Sequence, residues 1–310
     1  MATSLGLGAS QVNAGLAMLF GLEDDLNSKL SIIILVTFVT ILSVVRGLDG
    51  GVKVLSNANM LLAGTLLIFV AMAGSIAQLA EWIFFTAKHY VKNIAPLSNS
   101  IGREDTQWMR DWTVFYWAWW VSWSPFVGLF IARISKGRTV REFMLAVLLV
   151  PTTVTIIWMS VFGMNAIAQA QAGIGGLANG VSSISLATFQ MLENLPLAEI
   201  TTFVGVVLVL IFFITSSDSG SLVIDSITAG GKVDSPVPQR IFWAVIQGLI
   251  AGVLLYGGGK YALNALQAGT VITGIPFTLV LLLISISLLK GLRASLKESR
   301  AKKLNTENIA

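Results

Sequence analysis

An all-α bundle that crosses a membrane several times is the fold class this sequence predicts, on three observations. Apolar residues make up 55% of the 310 residues and charged ones 12%, with a mean hydropathy of +0.79. A soluble domain carries about 25% charged residues, so so few charges cannot clothe one soluble core. Eight apolar stretches are each long enough to cross a hydrocarbon layer of about 30 Å, which takes ~20 helical residues. No run reads as a series of strand hairpins.

The stretches run roughly 2–22, 29–46, 57–80, 112–132, 140–164, 198–216, 240–257 and 263–289. The first has small and polar residues among its leucines (A-T-S-L-G-L-G-A-S-Q) and no basic leader, so the chain is expected to begin inside a span, as part of a longer protein. Basic residues orient the rest. Arg46 and Lys53, then Arg133, Lys136, Arg138 and Arg141, then Lys232 and Arg240, fall on one side together with a tail holding Lys290, Arg293, Lys297, Arg300, Lys302 and Lys303. Acidic residues gather on the other side: Glu23, Asp24, Asp25, Glu81, Glu104, Asp105 and Glu193. Eight spans satisfy this alternation with a cytoplasmic C-terminus.

Composition also excludes chemistry. Cysteine is absent and His89 is the one histidine, which removes disulfides, thiolate metal sites and any His-based catalytic centre. The spans are nearly free of charge, so a membrane enzyme with convergent acids and bases is not expected. A net charge of +4, held in short loops and the tail, reads as topology signalling rather than nucleic-acid binding.

Between the spans, W-I-F-F-T-A-K-H-Y-V-K (82–92) sets Trp82, Phe85 and His89 on one helical face, as an interfacial helix or subunit contact would. The Gly/Ala/Ser-rich stretch 165–190 is expected as a helix over the outer face. Its G-I-G-G-L-A fits G-x-G-x-x-A only superficially, since no strand precedes it. G-L-I-A-G (248–252) marks close helix packing.

Six of the nine tryptophans lie between Trp108 and Trp123. On a 3.6-residue helix Trp112, Tyr116, Trp119, Trp120 and Trp123 share an arc of about 100°. Three readings compete: an interfacial aromatic belt, helix packing, and a box of indole faces for a cation without hydrogen-bond donors. A belt fits Trp123 poorly, because ~1.5 Å per residue carries it ~16 Å from Trp112, near mid-bilayer. Pro125 follows and frees the carbonyl of Val121, which predicts a helix break lining a cavity. A second constellation, F-F-I-T-S-S-D-S-G-S (212–221), crowds hydroxyls at the expected end of the sixth span. It reads either as helix capping or as oxygen ligands for a hard cation.

The run D-W-T-V-F-Y-W-A-W-W-V-S-W-S-P-F-V-G-L-F-I-A-R-I-S-K-G-R-T-V-R-E-F (111–143) resembles the signature of the betaine/carnitine/choline transporters. A-T-S-L-G-L-G (2–8), L-S-N-A-N-M (55–60), T-S-S-D-S-G-S (215–221) and L-Q-A-G-T-V-I-T-G-I-P-F (266–277) resemble other blocks of that family, in order. The resemblance implies a polytopic secondary transporter of a bacterial inner membrane, with a leucine-transporter-like core of two inverted five-helix repeats, usually trimeric. Residues 1–90 would hold the last three helices of the first repeat and 81–111 an external loop with the amphipathic helix. The second repeat would occupy 112–290 and a basic cytoplasmic tail 291–310. It further implies that Trp119, Trp120 and Trp123 cage a quaternary ammonium group, that Phe115 and Trp117 shape the pathway, and that Trp112 and Tyr116 lie nearer the outer entrance. Phe212 (carbonyl), Thr215 and Ser216 (hydroxyls) would belong to a sodium site; no cofactor beyond that coupling ion is implied.

The family's first four spans have no counterpart here, which leaves one wall of the cage and half of the sodium site. Two other readings therefore stand beside transport of glycine betaine, choline or carnitine: a non-transporting fragment, and a quaternary-ammonium sensor.

Overall fold

A computed structural model describes residues 1–47, 53–74, 76–232 and 236–307, and among them every regular element is helical. Residues 48–52 of the loop expected at 46–53, and 308–310 of the tail, lie outside the described residues. The α-helices are α1 Ala2–Phe20, α2 Leu26–Gly47, α3 Lys53–Ala73, α4 Leu79–Ser98, α5 Thr106–Trp108, α6 Phe115–Ile134, α7 Val140–Trp158, α8 Met164–Gln171, α9 Ala187–Glu193, α10 Ala198–Thr228, α11 Val237–Gly258 and α12 Ala262–Glu307. Turns of π-helix, Met109–Val114 and Met159–Gly163, join α5 to α6 and α7 to α8.

Seven of the eight expected spans coincide with helices long and apolar enough to cross a membrane, by length and composition. The eighth, α1, is not apolar enough, and its position explains why. It packs against α2, α10, α11 and α12, so its small and polar residues, Thr3, Ser4, Gly6, Gly8, Asn13 and Gly15 among them, meet protein instead of lipid. Small residues let backbones approach closely. A Cβ on Gly8 would collide with the Phe213 ring, and one on Gly15 with Val206. These two contacts run α1 antiparallel to α10. Buried hydroxyls add ties: Thr3 Oγ1 donates to the Leu266 carbonyl (3.2 Å) and Thr270 Oγ1 to Thr3 (2.9 Å).

The other close contacts follow the same rule. Gly248 of α11 faces Thr37 of α2 with no room for a Cβ, as the G-x-x-x-G pattern predicts. Gly274 of α12 faces the backbone of Ala118 in α6, where an added Cβ would come within 3.2 Å of it. Ser122 of α6 donates to its own Ala118 carbonyl (2.8 Å) and lies 3.3 Å from that of Thr270. Helices α1, α2, α10 and α11 thus form one mutually packed group, with α6 held against α12 beside it.

Three expectations are corrected, at 165–190, at the end of the sixth span and at Pro125. Stretch 165–190 is not one helix: Gly173, Gly175 and Gly180 adopt positive φ, so α8 ends at Gln171 and a short 3-10 turn, Gly176–Asn179, leads towards α9. With no strand before it, the G-I-G-G-L-A segment carries no nucleotide fold; Leu177 is buried in the core instead. The sixth span does not stop at 216 but runs unbroken to Thr228. The tail continues α12 as helix to Glu307. Pro125 does not break α6, because Ser124 Oγ donates to the freed Val121 carbonyl at 2.8 Å.

Helix α4 lies where the amphipathic segment was expected. Its Trp82 is buried and its Phe85 and His89 rings stack at 4.0 Å on the exposed side. At the α1–α2 turn, Asp24 accepts from Lys29 and from Asn13, each at 2.7 Å.

Gly248→Val should destabilise the protein by about 1–3 kcal/mol, the usual cost of overpacking, whereas Gly64→Val, with open space around it, should not. Equal losses of thermal midpoint for both would contradict the packing described. The Lys29 hydrogen bond, then that of Asn13, holds the Asp24 carboxyl below the usual carboxylate range. Its stabilisation is therefore present above the ordinary carboxylate pKa of about 3.9 and fades as pH falls through the lowered value. Asp24→Asn should lower the thermal midpoint at neutral pH, and that deficit should shrink on acidification.

Candidate aromatic ligand site

The tryptophan-rich segment enters the bundle through the π turn at Met109–Val114, which buries Met109 and ties Thr113 Oγ1 to the Leu97 carbonyl at 3.1 Å. Such a turn inserts a residue into the α-helical register. Trp112 and Tyr116 nonetheless stack, with ring centroids 6.0 Å apart and planes within 3° of parallel. Phe115 and Trp119 follow, with centroids 5.4 Å apart, and Tyr116 lies 5.8 Å from Trp119. The result is a continuous aromatic wall of Trp112, Phe115, Tyr116 and Trp119.

That wall lines a cavity of about 270 Å³ closed by α1, α10 and α12. The volume is near the low end of ligand pockets, roughly 300–1,000 Å³. It is sized for a small solute. The opposite side supplies Leu7 and Gln11 from α1, Phe213 from α10, and Asn264 and Gln267 from α12. Asp111 brings a carboxylate to the rim. Its oxygens accept from Gln107 at 2.8 and 3.0 Å, an uncharged partner that leaves the negative charge in place. Aromatic faces and one carboxylate both favour a cation.

Not all of the expected aromatics meet there. Phe115 is buried at 3% exposure, and Trp112, Tyr116 and Trp119 present faces to the cavity. Trp117 points away and is exposed, as is Trp120 at 74%. Trp123 lies a turn beyond Trp119, packs its ring on Phe126 and donates from Nε1 to Met1 Sδ at 2.9 Å. Ideal helical spacing groups Trp120 with Trp119, yet neighbouring residues stand about 100° apart on a helix, enough to put Trp120 on another face.

The expected oxygen ligands sit in the interior of α10 rather than at its end. Thr215 Oγ1 donates to the Phe212 carbonyl at 3.0 Å, so two of the named oxygens bond each other. Thr215 and Ser216 are half-buried. The carbonyls expected to be free at a helix end are inside a continuous helix. Among the described residues no cluster of His, Cys, Asp or Glu has the makings of a metal site, which leaves carbonyl and hydroxyl ligation untouched.

Sequence reasoning missed the facing polar residues Gln11, Asn264 and Gln267, and passed over Asp111. Nothing in the local pattern of Gln11, Asn264 and Gln267 marks them, since they come from two helices far apart in the chain and meet only through packing. Asp111, inside the resemblance block and one residue before Trp112, was the member with a signal.

A family model described as betaine/carnitine/choline family transporter matches residues 1–297. The chain is 58% identical, over 97% of its length, to a glycine betaine/proline/choline/ectoine transporter of Vibrio parahaemolyticus, covering 53% of that protein. It is 58% identical to glycine betaine transporter 1 of the same organism, over 94% of the chain and 56% of the relative. A glycine betaine transporter of Bacillus subtilis is 40% identical over 98% of the chain and 59% of its own length. The chain spans about half the length of these curated relatives. The family and these relatives are transporters, not enzymes. A match that runs through the aromatic segment and all the apolar helices leaves one conclusion: this multi-pass membrane protein belongs to the betaine/carnitine/choline transporter family.

Proposed function

We propose that the chain forms the larger part of the substrate pathway of a secondary transporter for a quaternary ammonium osmolyte of the glycine betaine, choline or carnitine class. The observation that carries this reading is the wall of Trp112, Phe115, Tyr116 and Trp119 around a small cavity with Asp111 at its rim. A trimethylammonium group offers no hydrogen-bond donor, so ring quadrupoles are the means of holding it, at about 0.5–2 kcal/mol per face. Gln11, Asn264 and Gln267 are placed to receive a polar tail such as a carboxylate or hydroxyl. The names of the relatives point to the same substrates.

Trp120 and Trp123 extend the cage on the side that the rest of the longer relatives would cover, with Trp117 along the pathway. Sodium is the coupling ion in this reading, held in part by the Phe212 carbonyl and the Thr215 and Ser216 hydroxyls. Hard cations take several oxygens, and these three come from one helix, so further ligands come from outside α10. Alternating access fits the packing: α1, α2, α10 and α11 make a rigid group, against which the aromatic helix and α7 would rock. The protein sits in a bacterial inner membrane, C-terminus in the cytoplasm, as a homotrimer.

Trp119→Leu should weaken betaine binding about tenfold, on the scale of one or two lost aromatic faces; quenching of tryptophan fluorescence by betaine measures it. Unchanged affinity would remove the aromatic wall from the site. A Thr215→Ala, Ser216→Ala double variant should take up betaine in vesicles with its sodium dependence lost. An uptake curve against sodium identical to that of the parent would dismiss the ion assignment.

A further inference from the structure

About 7 Å along α10 from Phe213 (five residues at ~1.5 Å rise) lies Asp218, which no part of the aromatic site uses. It has no exposed surface, and neither carboxylate oxygen has a hydrogen-bond partner among the described residues. A fully buried ionisable side chain without a partner is costly, and in a membrane protein such a group marks an ion or proton pathway more often than a scaffold.

Packing defines its surroundings. Helices α2 and α10 both run antiparallel to α11, through Gly248 against Thr37 and Gly252 against Leu30, and through Gln247 against Ser221 and Arg240 against Asp225, so they are parallel to each other. Val44 of α2 packs with Leu222 of α10 in one buried cluster. One turn back on both helices, Thr40 comes level with Asp218. Ser43, one residue before Val44, is buried and its hydroxyl has no hydrogen-bond partner among the described residues. From the other side α1 runs antiparallel to α10 and brings Ser4 level with Ser217.

Two adjacent turns of the bundle, at Asp218 and at Ser221, therefore hold seven buried oxygens without partners among the described residues: Ser4 Oγ, Thr40 Oγ1, Ser43 Oγ, Ser217 Oγ, both oxygens of Asp218, and Gln247 Oε1. Gln247 spends its Nε2 on Ser221 Oγ, at 2.8 Å. The other buried acid of α10, Asp225, has Arg240 at 3.8 Å. Asp218 has no such cation among the described residues, and Arg46, the next charge along α2, is exposed.

Hydroxyls beside a carboxylate donate to it when space closes between them. Here none of the described hydroxyls is hydrogen-bonded to Asp218. Oxygens around a hard cation take roughly 2.3–2.6 Å to the ion, which spaces neighbouring ligands about 3.4 Å apart, beyond a good hydrogen bond. We propose that Asp218, with Thr40 and Ser43 of α2, binds a small monovalent cation of sodium size, Ser217 and Ser4 completing the shell. This site is separate from the Phe212, Thr215 and Ser216 oxygens, and it stands whether or not the aromatic cavity takes an ammonium ion.

The test is the thermal midpoint of the full chain in detergent, titrated with sodium at constant ionic strength against N-methylglucamine, with no osmolyte present. Sodium should raise the midpoint of the parent. Asp218→Asn should cut that rise at least about threefold while the sodium-free midpoint holds or improves, since an unpaired charge is gone. Thr40→Val, which keeps shape, should shift the half-saturating sodium concentration upward by a similar factor. The Thr215→Ala, Ser216→Ala variant should retain a sodium response. A parental sodium response in Asp218→Asn overturns the proposal; if that variant does not fold, a parental half-saturation in Thr40→Val overturns it instead. A midpoint that responds to pH but not to sodium, with the response lost in Asp218→Asn, assigns the site to a proton and likewise overturns it.

Discussion

At Gly8 and Gly15 the first helix lies against Phe213 and Val206 with no space for a side chain, and much of the molecule is organised around that approach. Lipid tails are as apolar as leucine, so helices in a membrane are held by close packing and by hydrogen bonds between them rather than by escape from water. A chain with small residues along one helix can bury it fully. Helix α1 buries its small and polar positions in this way, and α2, α10, α11 and α12 pack against it. Its polar side chains then have to find partners inside the protein. Thr3 and Thr270 do so with each other and with the Leu266 carbonyl, and Asn13 reaches Asp24.

That central group gives the aromatic helix something rigid to face. Helix α6 does not enter it deeply; it leans on α12 through Gly274, Ala118 and Ser122. Between the two lies the cavity, with α1 and α10 forming its far side. Trp112, in the π turn ahead of α6, lies parallel to the Tyr116 ring that follows. The rings therefore act as one surface rather than as separate anchors. Asp111 adds a carboxylate with no ion-pair partner among the described residues.

Much of this was legible in the amino-acid sequence, for physical reasons that vary by element. The long apolar helices announce themselves because lipid admits little else. The close contact at Gly248 was legible because a G-x-x-x-G pattern has one simple use in a membrane. The tryptophan arc was legible in part: Tyr116 and Trp119 share a face as spacing says, whereas Trp120 turns away from the cavity. The break expected at Pro125 did not form. A serine one residue earlier takes the freed carbonyl, a compensation that spacing cannot weigh. The end expected near Ser216 was read from polarity, but α10 continues because α1, α2 and α11 surround its polar turns. Gln11, Asn264 and Gln267 were invisible, since only the fold brings them together.

The central claim is that the α6 wall recognises positive charge in a methylated head rather than its bulk. Glycine betaine and 3,3-dimethylbutanoate share shape and carboxylate, and differ in having nitrogen or carbon at the branched centre. Competition for tryptophan-fluorescence quenching in the longest form of the protein compares them directly. Cation–π attraction at several faces predicts that betaine binds at least about tenfold more tightly. Equal affinity would mean that the rings serve only as an apolar surface, and would contradict the account.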